Sequence, residues 1–206
     1  DVNRTVQAGY DELAPSFGEF MANVVGDPWE RFVEELGSRL PEGSCVLDLG
    51  CGNGDKLARL ADRFDVVGVD ISEEQLRLAR ARVPNTKLVH GDFSELAFEH
   101  ESFDAVTAFY SIVHVARDEH AALFKRIFGW LKPGGLFLAS LSHVGGPDRT
   151  EEWLGVQMFF SGFPAETNRR LVLEAGFELL IDEVVVMTEP HDVESGWIWV
   201  LGSKPE

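Results

Sequence analysis

Two carboxylates and a glycine-rich turn are spaced along this 206-residue chain in a way that suits a nucleoside. Val46-Leu47-Asp48-Leu49-Gly50-Cys51-Gly52-Asn53-Gly54 is an apolar run that ends in an acid and then in alternate glycines. Glycine lets the main chain turn with positive φ and lets a ligand approach it closely. Asp70 closes a second apolar run roughly 20 positions further on, where a carboxylate accepts hydrogen bonds from ribose hydroxyls. Ile71 then lies against the face of the base. The dinucleotide fingerprint needs a third glycine where this chain has Asp55, whose carboxylate would repel a pyrophosphate. No Gly-x-x-x-x-Gly-Lys-Ser/Thr loop occurs either, so the expected ligand lacks phosphates. For proton transfer the first candidate is His114, just past the fourth expected strand, because an unperturbed imidazole titrates near neutrality. His143 and His191 are runners-up. Six histidines without compact ligand spacing predict no metal site.

Positioning these groups takes strands that end at one edge and helices that return the chain. Leu57, Leu60, Ala61 and Phe64 repeat at helical spacing after the glycine turn. Ser72 is expected to cap the next helix, with Gln75 completing a capping box. Further strands are expected over 86–90, 103–111 and 136–141. The carboxyl end of the fourth strand, carrying Tyr110, adjoins the first strand at the crevice where open α/β sheets bind ligands. Upstream, residues 1–24 read as helix in pieces, broken at Pro15, with Tyr10, Leu13, Phe17, Phe20 and Met21 as an apolar stripe. Asp27-Pro28-Trp29-Glu30 starts a second helix, with Asp27 as its cap and Trp29, Phe32, Val33, Leu36 and Leu40 on its buried face. Residues 142–163 form a long connection that holds His143, Trp153, Met158, Phe159 and Phe160. It reads either as a cover over substrate or as core filling. A helix over 164–175 and strands over 177–187 and 197–203 complete the chain, with His191 in the turn between the two strands.

The segments 48–54 (Asp-Leu-Gly-Cys-Gly-Asn-Gly), Asp70, Gly91-Asp92-Phe93 and Leu131-Lys132-Pro133-Gly134-Gly135 resemble, in this order, the motifs of class I S-adenosylmethionine (SAM) dependent methyltransferases of the small-molecule type. The resemblance runs from Gly43 to Ser203. It implies an α/β fold, a Rossmann-like doubly wound seven-stranded mixed sheet with an antiparallel last strand. It implies a single domain over 1–206, with 1–42 as an N-terminal helical cap and 142–163 as an insertion on the active face. It implies SAM as cofactor and S-adenosylhomocysteine as product, bound by Asp48, Gly50, Cys51, Gly52, Gly54, Asp70, Ile71, Asp92, Phe93 and Tyr110, with Asp92 accepting the adenine amine. Tyr10, in Tyr10-Asp11-Glu12-Leu13-Ala14, resembles the tyrosine of a Tyr-Asp-x-x-Ala segment that touches the cofactor. His143, Trp153, Met158, Phe160 and His191 then face the acceptor.

A formal net charge of −17 argues against nucleic acid or an anionic membrane as partner, since phosphates need lysine and arginine patches. Cys45 and Cys51 sit at opposite ends of one expected strand, too far apart to pair, which fits a reducing, cytoplasmic setting. The expected activity is methyl transfer to oxygen, nitrogen or sulfur of a small organic acceptor, with the oligomeric state left open. Two other classes stay in view. One is a non-catalytic SAM-binding regulator or partner subunit. The other is a nicotinamide-dependent reductase, against which the missing third glycine and the lack of a Tyr-x-x-x-Lys motif both stand.

Overall fold

Short apolar runs alternating with helix-period stretches build a mostly parallel, mixed sheet covered by helices on both faces. A computed structural model describes residues 1–206 and bears this out. In chain order the elements are α1 (Val2–Ala22), α2 (Trp29–Arg39), β1 (Cys45–Leu49), α3 (Asp55–Ala61), β2 (Asp65–Asp70), α4 (Glu73–Arg82), β3 (Lys87–His90) and β4 (Phe103–Ala108). A 3-10 turn (Ile112–His114), α5 (Arg117–Trp130) and β5 (Leu131–Ser142) follow. Then come β6 (Gly146–Trp153), β7 (Val156–Gly162), α6 (Ala165–Glu174), β8 (Glu178–Glu189) and β9 (Val193–Ser203).

Seven strands form one sheet in the order β3-β2-β1-β4-β5-β9-β8. β1 pairs in parallel with both β2 and β4, so the strand order reverses at β1 and opens a crevice at its carboxyl end. β9, the last strand, runs antiparallel to both β5 and β8. Central strands β1 and β4 are buried on both faces, which suits their mostly apolar sequences. One core of 22 buried residues and another of 17 lie on the two sides of the sheet. No helix is long and apolar enough to cross a membrane.

Several expectations are corrected. α1 runs unbroken through Pro15. Proline inside a helix costs ~3 kcal/mol, and tertiary anchoring offsets it: Val6 and Leu13 are buried against β7, and Asp11 accepts from Ser72 Oγ at 2.6 Å. Of residues 1–42 only α1 acts as a cap. α2 packs on the sheet, with Phe32 stacked on Trp199 at 4.5 Å between ring centroids. β5 starts at Leu131 rather than 136, and residues 132–135 bulge out between its pairings with Phe103 and Ala105. The connection over 142–163 is a regular hairpin, β6–β7, a two-stranded sheet of its own. Its turn sets Leu154 and Gly155 at φ +52 and +87, the left-handed pair a tight hairpin needs.

Candidate functional site

The glycine turn is built by hydrogen bonds to its neighbours. Gly50 and Cys51 donate their N–H groups to Val69 O at 2.8 and 2.9 Å, which fastens the turn to β2. Gly50 has φ +79, and a Cβ there would lie 2.4 Å from Ser111 Cβ. Both the angle and the approach demand glycine. Asp70 then locks the loop: its Oδ2 accepts from Gly52 N–H at 2.7 Å and its Oδ1 from Ser72 N–H at 2.9 Å. Burial pushes its pKa up to about 6, and those two N–H groups oppose the rise. Ser72 Oγ caps α4 through Gln75 N–H at 3.1 Å, but the capping box is not completed. Gln75's side-chain atoms find no partner, because Asp70 already takes the Ser72 N–H that a box would use.

A cavity of about 320 Å³ opens over this turn, beneath α1. Tyr10, Asp48, Gly50, Cys51, Gly52, Asp70, Ile71, Asp92, Phe93, Tyr110 and His114 all line it. Gly54 does not. Its φ of +81 starts α3, and its place is set by Ala79, 3.0 Å from where a Cβ would stand. Ile71 and Phe93 give the cavity apolar walls, each next in the chain to a lining carboxylate, Asp70 and Asp92. Asp92 also accepts from the Ser94 N–H and hydroxyl, both at 2.7 Å. His90 Nε2 donates to Ile71 O at 2.9 Å and steadies that wall. Asp48 accepts from Thr107 Oγ1 at 2.6 Å, and burial raises its pKa to about 6. Tyr110, held at φ +59, donates its hydroxyl to Asp27 and its N–H to Ser140 Oγ at 2.7 Å.

His114 lines the cavity but not as an open base. Its Nδ1 lies 2.7 Å from Phe159 O, an acceptor only, so Nδ1 carries the proton. The bare Nε2 accepts from Tyr10 Oη at 2.9 Å. Burial drives the imidazole pKa down to about 4, against the help that Phe159 gives the charged form. Burial likewise raises the Tyr10 phenol, and Asp70 adds to the rise.

The expected acceptor-facing set does not gather here. Trp153 packs edge-on against Tyr10, Phe17, Phe20 and Phe160. Met158 is fully buried between β7 and Gly9 of α1. Phe160 tilts over His114. These side chains support the roof of the cavity instead of lining it. His143 donates from Nδ1 to Gly196 O at 2.6 Å, off the cavity wall. His191 is exposed at the β8–β9 turn with φ +66. Both lie in connections outside the strands, where turn geometry decides the side a residue faces. Among the wall and support residues that the sequence reading did not single out are Lys56 in the first turn of α3, Ser111 donating to Leu49 O at 2.6 Å, and Asp11. The only local signal for them was that each adjoins a residue already singled out.

Residues 46–135 match the family described as a methyltransferase domain. A demethylmenaquinone methyltransferase of Staphylococcus aureus is 36% identical over 114 residues, which is 52% of this chain and 46% of that protein. The chain spans about half the length of the curated relatives it matches. A SAM-dependent methyltransferase from Methanosarcina mazei shares the fold, with a TM-score of 0.71 at 20% identity over 83% of this chain and 97% of that one. So does the Burkholderia thailandensis 1,6-didemethyltoxoflavin-N1-methyltransferase, solved with 1,6-didemethyltoxoflavin and S-adenosylhomocysteine, with a TM-score of 0.66 at 23% identity over 87% of this chain and 78% of that one.

Proposed function

We propose that this chain, whose residues 46–135 are a methyltransferase domain, binds SAM beneath α1 and transfers its methyl group to oxygen, nitrogen or sulfur of a small organic acceptor. One observation carries the reading. A nucleoside-sized cavity over the glycine turn is lined by the carboxylates of Asp48, Asp70 and Asp92 and by the apolar Ile71 and Phe93, in a chain that has no phosphate-binding loop. The wall cations are Lys56, discussed below, and Arg82, which is held by Asn53 and Asp55. Asp70 would take the ribose hydroxyls, Ile71 and Phe93 the adenine faces, Asp92 its amine, and Asp48 the amino group of the methionine part. A small acceptor is supported by the names of the Staphylococcus and Burkholderia relatives, both enzymes of small organic molecules. We place the chain in the cytoplasm, where its two free thiols stay reduced.

The cofactor supplies an activated methyl carbon on a sulfonium. The chain's task is orientation, which contributes ~7–11 kcal/mol of barrier reduction in well-aligned systems. Tyr10 and Tyr110 line the cavity. His114 holds Tyr10 in place and is a poor proton sink: with its pKa at about 4, protonating it at pH 7 costs about 4 kcal/mol. The acceptor atom therefore brings its own lone pair, as a neutral amine, a thiolate or an acidic hydroxyl does.

The test is calorimetric titration with SAM, S-adenosylhomocysteine and NADH. Micromolar binding of the first two and none of NADH is expected. Binding of NADH alone, or of none of the three, overturns the reading.

A further inference from the structure

One charged group on the cavity wall has no task in the account above. Lys56 stands in the first turn of α3, two residues past Gly54. Its Nζ lies 5.4 Å from the Trp29 ring centroid and 5.3 Å from that of Tyr110, so two aromatic faces flank it. It makes no hydrogen bond or ion pair with any protein group. The acids around it are already engaged. Asp27 accepts from Tyr110 Oη and from Trp29 N–H at 3.1 Å. Asp48 accepts from Thr107 at 2.6 Å. Asp55 lies 3.6 Å from Arg82 Nη1. Arg82, the other cation on the wall, also donates to Asn53 O at 3.1 Å and Oδ1 at 2.9 Å. Burial lowers the Lys56 pKa, and Asp27, Asp55 and Asp48 pull it back. A cation that gives up water without gaining a protein acceptor is costly unless a ligand provides one.

We propose that Lys56 binds a carboxylate inside this cavity. Charge calls for an anion. The absence of a phosphate-binding loop and the neighbouring Asp48 call for a singly charged one. The inference rests on the cofactor reading for its favoured source, the amino-acid carboxylate of SAM. In that reading the methionine part would lie between Asp48 and Lys56, both on the cavity wall. Its ammonium then meets Asp48 and its carboxylate meets Lys56, so a zwitterion is matched charge for charge. The second source is a carboxylate on the acceptor, seated between Trp29 and Tyr110.

The experiment compares wild type, Lys56→Met and Lys56→Arg by calorimetry. The probes are S-adenosylhomocysteine, 5′-methylthioadenosine and sodium benzoate, the last titrated onto both free and S-adenosylhomocysteine-saturated protein. 5′-Methylthioadenosine keeps the nucleoside and the sulfur and lacks the carboxylate. Lys56→Met should weaken S-adenosylhomocysteine on the order of tenfold, the scale of a charge-assisted hydrogen bond, and leave 5′-methylthioadenosine unchanged. Lys56→Arg should keep most of the affinity. Unchanged 5′-methylthioadenosine binding also shows that the variant is folded. Equal S-adenosylhomocysteine affinity in wild type and Lys56→Met, with benzoate bound only by wild type, assigns the carboxylate to the acceptor. Equal affinity for S-adenosylhomocysteine and no Lys56-dependent benzoate binding overturns the proposal. If wild type binds neither adenosyl compound, the cofactor reading fails by itself, and benzoate on the free protein still decides the role of Lys56.

Discussion

Replacing His114 by asparagine should flatten one component of the protein's pH–stability curve. In the folded chain the imidazole pKa falls from 6.5 to about 4, chiefly through burial. Between those values the unfolded chain binds more protons than the folded one. Folding is therefore favoured increasingly as pH rises across that window. At 1.36 kcal/mol per pKa unit, wild type loses about 3 kcal/mol through this residue between pH 7.5 and 4. Asp48 and Asp70 act with the opposite sign. Their pKa values rise from 3.8 to about 6, so the stability they contribute is full below 3.8 and is lost as pH climbs through 6. A wild-type curve alone mixes the three effects, and the difference between wild type and variant isolates His114. At pH 7.5 the variant should be less stable, because Tyr10 Oη loses the Nε2 acceptor that asparagine is too short to replace. That gap should close by about 3 kcal/mol on acidification to pH 4. Urea unfolding followed by tryptophan fluorescence at several pH values gives the gap directly. A gap that stays constant would refute the buried, neutral imidazole and the hydrogen-bond assignment built on it.

Asp70→Ala leaves the Gly52 and Ser72 N–H groups unpaired, and should weaken S-adenosylhomocysteine binding by roughly 1–3 kcal/mol in calorimetry; full affinity would remove Asp70 from the site. Gly50→Ala forces a left-handed alanine with its Cβ against Ser111. It should cost about 2–4 kcal/mol in denaturant unfolding, and a neutral effect would mean that the turn is not packed as described. Trp153→Ala removes the ring that Tyr10, Phe17 and Phe20 lean on. Amide exchange should speed up along α1 and stay slow in β1; uniform acceleration would contradict a separately supported roof.

What the sequence made legible was local in the chain. The turn at Gly50–Gly54 and the acid closing β2 sit at fixed spacings, and each is held by its immediate surroundings, as the Gly52–Asp70 bond shows. The seven-stranded mixed sheet with its antiparallel last strand followed from the family resemblance. Contacts between distant segments were not legible. Tyr10 and His114 stand 104 positions apart, and neither carries a sign that it meets the other. His143 and His191 were placed by the loop that holds them, whereas their side chains follow turn geometry. The aromatic residues of β6–β7 fitted two readings equally, and only packing on α1 separated them. Lys56 precedes the buried Leu57 in an amphipathic stretch, and periodicity alone assigns such a lysine to solvent. Pro15 marks a break in any local rule, yet α1 passes through it because both of its flanks are fastened elsewhere.

α1 supplies seven of the 24 residues around the cavity, yet it shares neither large core of the sheet. Its apolar face belongs to a cluster of five buried residues formed with β7. Local opening free energies follow the apolar contact a segment buries. The roof can therefore lift at a cost well below that of unfolding the sheet. The residence time of whatever occupies the cavity becomes a property of those five side chains as much as of the ligand's own contacts. Trimming them would hasten exchange without disturbing the glycine turn below.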